Sequence, residues 1–132
     1  MPKRAIFSEG RRASAERLKM SPGIVSNDLV FLTGTTGSDP DGHMPDDPET
    51  QFRAAFDKVA GVLRAEGLTL DAIVEMTTYH VGLREHFDLF DRVRLEYLDE
   101  PYPAWTAVEV AGLRREGAVV EIRVVASTDP PR

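Results

Sequence analysis

Pro103-Ala104-Trp105-Thr106-Ala107-Val108-Glu109-Val110, followed after a short polar connection by Val119-Val120-Glu121-Ile122-Arg123-Val124-Val125-Ala126, decides the fold. Both runs are rich in β-branched and aromatic residues, which fit a pleated, half-buried surface. Gly112, Arg114, Arg115, Glu116 and Gly117 between them supply turn chemistry, so the pair reads as a β-hairpin. Alternation within the first strand puts Trp105, Ala107 and Glu109 on one face and Thr106, Val108 and Val110 on the other. The second set is expected under a layer of helices. An indole on the remaining face is costly to leave in water, so that face is expected to be buried by self-association.

Working toward the N-terminus, Ile73-Val74-Glu75-Met76-Thr77-Thr78-Tyr79-His80-Val81 suits a central strand. A helix is predicted on each side of it. Asp47-Pro48-Glu49 opens the first with a capping carboxylate, a proline at the first helical position and an acid near the positive end of the dipole. Phe52, Ala55, Phe56, Val59, Val62 and Leu63 then recur at helical spacing until Gly67. The second runs from Arg84 or Glu85 to Leu98 and buries Phe87, Phe90, Val93 and Tyr97. Ile24-Val25-Ser26, Asn27-Asp28 and Leu29 to Gly34 read as a hairpin, Arg4 to Phe7 as a first short strand, and Arg11 to Arg17 as a charged connection without a period. Thr35 to Asp47 reads as a surface loop. The order of elements predicts an α+β fold, with both helices on one face of a mixed sheet.

At 132 residues and 42% hydrophobic content the chain is sized for one domain, residues 1–132, with 127–132 as a loose tail. A net charge of −6 argues against a nucleic-acid partner, which calls for a basic footprint. The absence of cysteine excludes disulfides, thiolate nucleophiles and cysteine-based zinc sites. The first ten residues lack a secretory apolar core, and no run is long enough to span a bilayer, so a soluble cytoplasmic protein is expected. Gly34-Thr35-Thr36-Gly37 lacks the lysine of a phosphate loop, and His43, His80 and His86 are scattered. Asp39-Pro40-Asp41-Gly42 reads as a plain turn rather than a calcium loop. No metal site is expected.

The Pro103–Val110 and Val119–Ala126 segments resemble the C-terminal signature of the RidA/YjgF family of reactive-intermediate deaminases, also described as endoribonuclease L-PSP-like. There Pro-Ala-Arg-Thr/Ser is followed by Val-Glu-Ile; Pro103, Ala104, Thr106, Val120, Glu121 and Ile122 match. Leu29 to Gly34, Asp39 to Gly42, Gln51, Gly67-Leu68, Ile73 to Tyr79 and Phe87 to Tyr97 extend the resemblance over nearly the whole chain. It implies a chorismate-mutase-like fold, a homotrimer, and a small-molecule pocket at each subunit junction that works without a cofactor. It further implies that Glu121 holds the water that hydrolyses an imine or enamine. A carboxylate within hydrogen-bond reach of that water can act as general base. Pairing of Glu121 with a neighbouring cation is the alternative reading.

One departure matters most. The family's carboxylate-binding arginine is replaced here by Trp105, which exchanges a bidentate cationic fork for one neutral donor and an apolar face. Trp105 is expected either to stack on a flat ligand or to fill the pocket and join subunits. Thr33, Gly34, Thr106 and Ala107 are expected to line the same pocket, with Met20 near the position of the family's pocket tyrosine. Arg123 either replaces the missing cation or is taken up by Glu109 and Glu121; Asp91, where relatives have Asn, reads as a solvated charge. The resulting expectation is a hydrolytic deaminase with a pocket altered away from small imino acids. The alternatives are a non-catalytic binding trimer and, more remotely, a ribonuclease.

Overall fold

The computed structural model describes residues 2–128. Seven strands form one sheet: β1 (Arg4–Ile6), β2 (Gly23–Ser26), β3 (Leu29–Leu32), β4 (Thr35–Thr36), β5 (Ile73–His80), β6 (Ala104–Glu109) and β7 (Val120–Ser127). Their order is β1-β2-β3-β7-β5-β6, with β4 also paired to β7. Helices α2 (Pro48–Ala65) and α3 (Leu83–Tyr97) pack on each other, α2 covering β7 and β4 and α3 reaching β6. The mixed α+β architecture is the expected one.

The expected C-terminal hairpin does not form. β7 pairs antiparallel with β5, and β5 pairs parallel with β6, so β5 runs between the two segments. The reason lies in the connections. α3 returns the chain so that β6 lies parallel to β5, as a strand–helix–strand unit does. The long stretch from Val110 to Val119 then carries it past β5 to the sheet centre. β7 is buried at five of its eight positions and half-buried at the other three, which suits a central strand rather than one arm of an edge hairpin.

This topology reverses the assignment of faces. In the β5–β6 register Met76, Thr78 and His80 lie beside Trp105, Ala107 and Glu109. Met76, Thr78 and His80 are all at most 1% exposed beneath the helices. Trp105 is therefore on the covered face, while Thr106 and Val108 share the uncovered one with Thr77 and Tyr79. The Trp105 ring stacks on Phe87 of α3 at 5.8 Å and 4°, and the Arg94 guanidinium lies 4.4 Å from the indole. α3 thus supplies the aromatic and cationic partners that the strand pattern alone could not reveal.

The other elements follow local chemistry closely. Asp47 accepts the Thr50 amide at 3.0 Å and caps α2, and Pro48 occupies its first turn. α3 starts after Gly82 at φ +81° and is capped from a distance: Glu109 accepts the amides of Gly82 at 3.1 Å and Leu83 at 2.7 Å. Those amides hold the Glu109 carboxyl below its usual range. β2 and β3 form the expected hairpin, with Asn27 left-handed at φ +53°. The charged connection instead contains helix α1 (Arg12–Leu18), in which Ala15 alone is buried, so no apolar period announces it. Ser127 belongs to β7 rather than to a tail, and Thr128 donates its amide to Asp28 O at 2.9 Å. Residues 129–132 lie outside the described residues. Among the described residues no helix is long and apolar enough to cross a membrane.

Thr78 joins the misplaced indole to a buried histidine. Its Oγ1 accepts the Trp105 Nε1–H at 2.9 Å and lies 2.8 Å from His80 Nε2, while His80 Nδ1 has no partner. Burial holds the His80 imidazole down to about 4 from an ordinary 6.5. Because the unfolded chain binds this proton more readily, the stabilisation is complete above about pH 6.5 and is lost as pH falls toward 4. Urea unfolding should show stability falling by up to about 1.4 kcal/mol per pH unit in that window. The His80→Leu variant should lose this slope; an unchanged slope would place the acid sensitivity elsewhere.

Candidate functional site

β3 pairs with β7 at residues 125–127 and β4 pairs with it at 121–122, so Thr33 and Gly34 fall outside both ladders. At this handover a cavity of about 960 Å3 opens between β4, β7, α1 and the C-terminal half of α2. Glu121, Gly34 and Met20 line it, as do Thr35, Thr36 and Ser38 from the strand and loop that follow Gly34.

Glu121 is half-buried and its carboxylate makes no hydrogen bond or ion pair among the described residues. Its carboxylate lies directly against the Gly34 backbone. A Cβ at residue 34 would come within 2.9 Å of Glu121 Cδ, so a side chain there displaces the carboxylate. Gly34 is thus the residue that lets an acidic group settle over the break in the sheet.

Gly37 and Gln51 hold the next turn of this wall. A Cβ at residue 37 would come within 2.5 Å of Gln51 Cα, so the two backbones meet in a contact that only glycine permits. The Gln51 side chain is fully buried. It donates to Pro45 O at 2.6 Å and Gly117 O at 2.9 Å, and accepts the Val119 amide at 2.8 Å. One amide group ties the loop after β4 to the start of β7, two residues before Glu121.

The cavity also contains Lys58, which the sequence reading passed over. Its ammonium donates to Ser38 Oγ at 2.8 Å. Burial and the neighbouring Arg11 and Arg115 guanidinium groups hold the amine down to about 8, with Asp39 opposing them. The available signal was spacing: Lys58 stands three residues after Ala55 and four before Val62, both buried on α2. It borders the apolar stripe rather than the solvated face.

The other expected site residues lie elsewhere. Trp105 and Ala107 lie on α3's side of the sheet and do not line this cavity; the half-buried indole packs on Phe87. Thr106 is on the uncovered face, beside Thr77, which also pairs with Arg123. Arg123 forms no ion pair with Glu109 or Glu121; Glu109 is engaged at the start of α3, on the other face. Thr33 donates its hydroxyl to Ser21 O at 2.6 Å and does not line the cavity. Asp91 accepts from Arg94 at 2.6 Å instead of standing free.

Asp39, Asp41 and His43 bring their ligand atoms within 4.8 Å of one another. Asp39 Oδ1 already accepts the amides of Asp41 at 3.0 Å and His43 at 2.9 Å, as expected of a turn.

A sheet backed by two long helices, with a half-buried carboxylate lining a cavity where one strand gives way to another, defines a small α+β protein. The chain belongs to the RidA/YjgF family: the Endoribonuclease L-PSP family model matches residues 11–128. It is 37% identical over 123 residues to the RutC family protein YjgH of Escherichia coli, covering 92% of each chain. A solved structure of YjgH superposes with a TM-score of 0.89 at 35% identity, covering 99% of this chain and 100% of that one. E. coli TdcF, named "Putative reactive intermediate deaminase", is 29% identical over 108 residues, covering 79% of this chain and 82% of TdcF. Its structure with bound serine matches at a TM-score of 0.75 and 28% identity, covering 81% of this chain and 86% of that one. RidA from a Psychrobacter species matches at 0.78 and 27%, covering 93% of both chains.

Proposed function

We propose that the chain hydrolyses a reactive imine or enamine to a carbonyl compound and ammonia, in a pocket altered away from small imino acids. The observation that carries this reading is Glu121: a half-buried carboxylate in a cavity, against Gly34, with no cation among the described residues neutralising it. Such a carboxylate keeps its lone pairs for water. It accepts a proton from water as the oxygen attacks the C=N carbon and passes it to nitrogen to give a carbinolamine, then takes the carbinolamine hydroxyl proton and passes it to the same nitrogen as the C–N bond breaks and ammonia leaves. Water is consumed, one C=N bond becomes C=O, and no redox partner is needed. The deaminase name of TdcF and the serine in its structure support a small nitrogen-bearing ligand.

The pocket differs from the family's in where its positive charge comes from. Residue 105 contributes none: the half-buried indole offers an apolar ring and a single donor, given to Thr78, in place of a cation, which supports a pocket altered away from small imino acids. Assembly as a homotrimer is part of this proposal. Half-buried Phe31, Tyr79 and Val108 and the more exposed Leu29 and Val74 on the sheet and its margin favour burial by further copies.

The test is ammonia release from freshly generated aliphatic and aromatic imines by repurified, nuclease-free protein. Release above the spontaneous rate is the expected result. Saturable binding without ammonia would select the alternative, a binding trimer of the same family. RNA cleavage that survives repurification would select the nuclease, a reading the net charge of −6 disfavours.

A further inference from the structure

We propose that Lys58, Arg11 and Arg115 form an anion-binding subsite in the wall of the Glu121 cavity, which takes a carboxylate or phosphate group of the ligand. This rests on the cavity being the ligand site, and it names the class of ligand the cavity selects. The chain as a whole is acidic, with 22 Asp and Glu against 16 Lys and Arg. Its cavity is the opposite: Arg11, Lys58, Arg64, Arg114 and Arg115 line it, against Glu9, Asp57 and Glu121.

These cations are also uncompensated. Arg4, Arg12, Arg53, Arg92 and Arg94 each pair with a carboxylate elsewhere in the molecule, whereas none of the five cavity cations does so among the described residues. Asp57 is itself engaged, accepting the Tyr97 hydroxyl at 3.0 Å. Lys58 is the focus because it is half-buried and its ammonium is fixed by a buried hydroxyl. One of its hydrogens goes to Ser38 Oγ, which is 5% exposed, and the other two have no protein acceptor among the described residues. Arg115 is held in place by donating to Gly42 O at 2.6 Å, which leaves other donors of its fork available. A half-buried ammonium crowded by guanidinium groups gains when an anion enters, since charge-assisted hydrogen bonds are the strong ones.

The sign of the pH dependence follows. The groups acting on Lys58 are Arg11 before α1, Arg115 after β6 and Asp39 after β4, and together with burial they place its titration near 8. Above that pH the amine is neutral and the anion loses its partner.

The experiment is calorimetric titration of the full chain and of Glu121→Gln with sulfate and with malonate at constant ionic strength. Neither anion changes charge between about pH 7 and about pH 9, so the protein alone sets the profile. Both proteins should bind one anion. Wild-type affinity should fall about tenfold across that range, and Lys58→Arg should flatten the profile, because a guanidinium does not titrate there. Lys58→Met and Arg115→Gln should each weaken binding by about tenfold. Sulfate alone would point to a phosphate-bearing ligand, and malonate alone to a carboxylate. The subsite is overturned if neither anion binds, or if Lys58→Met and Arg115→Gln both bind like wild type. Because binding is read in Glu121→Gln as well, failure of the subsite and failure of turnover are separate results.

Discussion

Gln51→Leu lowers the unfolding free energy by on the order of 3 kcal/mol and loosens the cavity with it. The wild-type amide is fully buried and serves Pro45 O, Gly117 O and the Val119 amide. Leucine keeps the volume but strands three backbone groups, each costing about 1–3 kcal/mol when buried without a partner. Some of that cost is recovered by relaxation toward solvent, since the loop after β4 is exposed at several positions. Denaturant unfolding at neutral pH measures the loss. Amide exchange at Val119 and Glu121 locates it, because the tie released is the one that fixes the start of β7. A variant as stable as wild type, with protection unchanged, would mean that these hydrogen bonds are replaced without cost.

Glu121→Gln removes about 10²–10⁴-fold of the turnover rate, the range by which a positioned acid or base typically contributes. The substitution keeps the shape of the side chain and its contact with Gly34. It changes the carboxylate into an amide that cannot take a proton from water. Because Glu121 has no ion-pair partner among the described residues, no cation is left stranded and stability should move little. The two effects are therefore separable in a single protein preparation. Gly34→Ala offers a second approach to the same group, since the added methyl forces the carboxylate aside without altering its charge.

Most elements were legible because their signals are local. Asp47-Pro48 announces the start of α2, the β2–β3 hairpin announces itself through Asn27-Asp28, and Glu121 and Gly34 followed from the resemblance. What could not be read depends on which strand lies next to which. Two apolar runs flanking a turn-rich stretch look like a hairpin whether or not a third strand separates them. Once β5 lies between β6 and β7, every inference drawn from the hairpin changes, including the face of Trp105 and the partners of Arg123. The contact of Thr33 was not legible for a different reason, since its hydroxyl is taken by Ser21 O from a neighbouring turn. Lys58 was missed because a lysine on an amphipathic helix ordinarily faces water, and its burial comes from segments distant in sequence.

On the proposed function, the Glu121 carboxylate makes the cavity a hydrolytic site. The direct measurement is the rate of ammonia release from one freshly generated imine, compared between equal amounts of folded wild type and Glu121→Gln. The predicted result is acceleration over the spontaneous rate by wild type and its near-complete loss in the variant, with unfolding midpoints alike. Equal rates in the two proteins, or a wild type no faster than the spontaneous reaction, would contradict it.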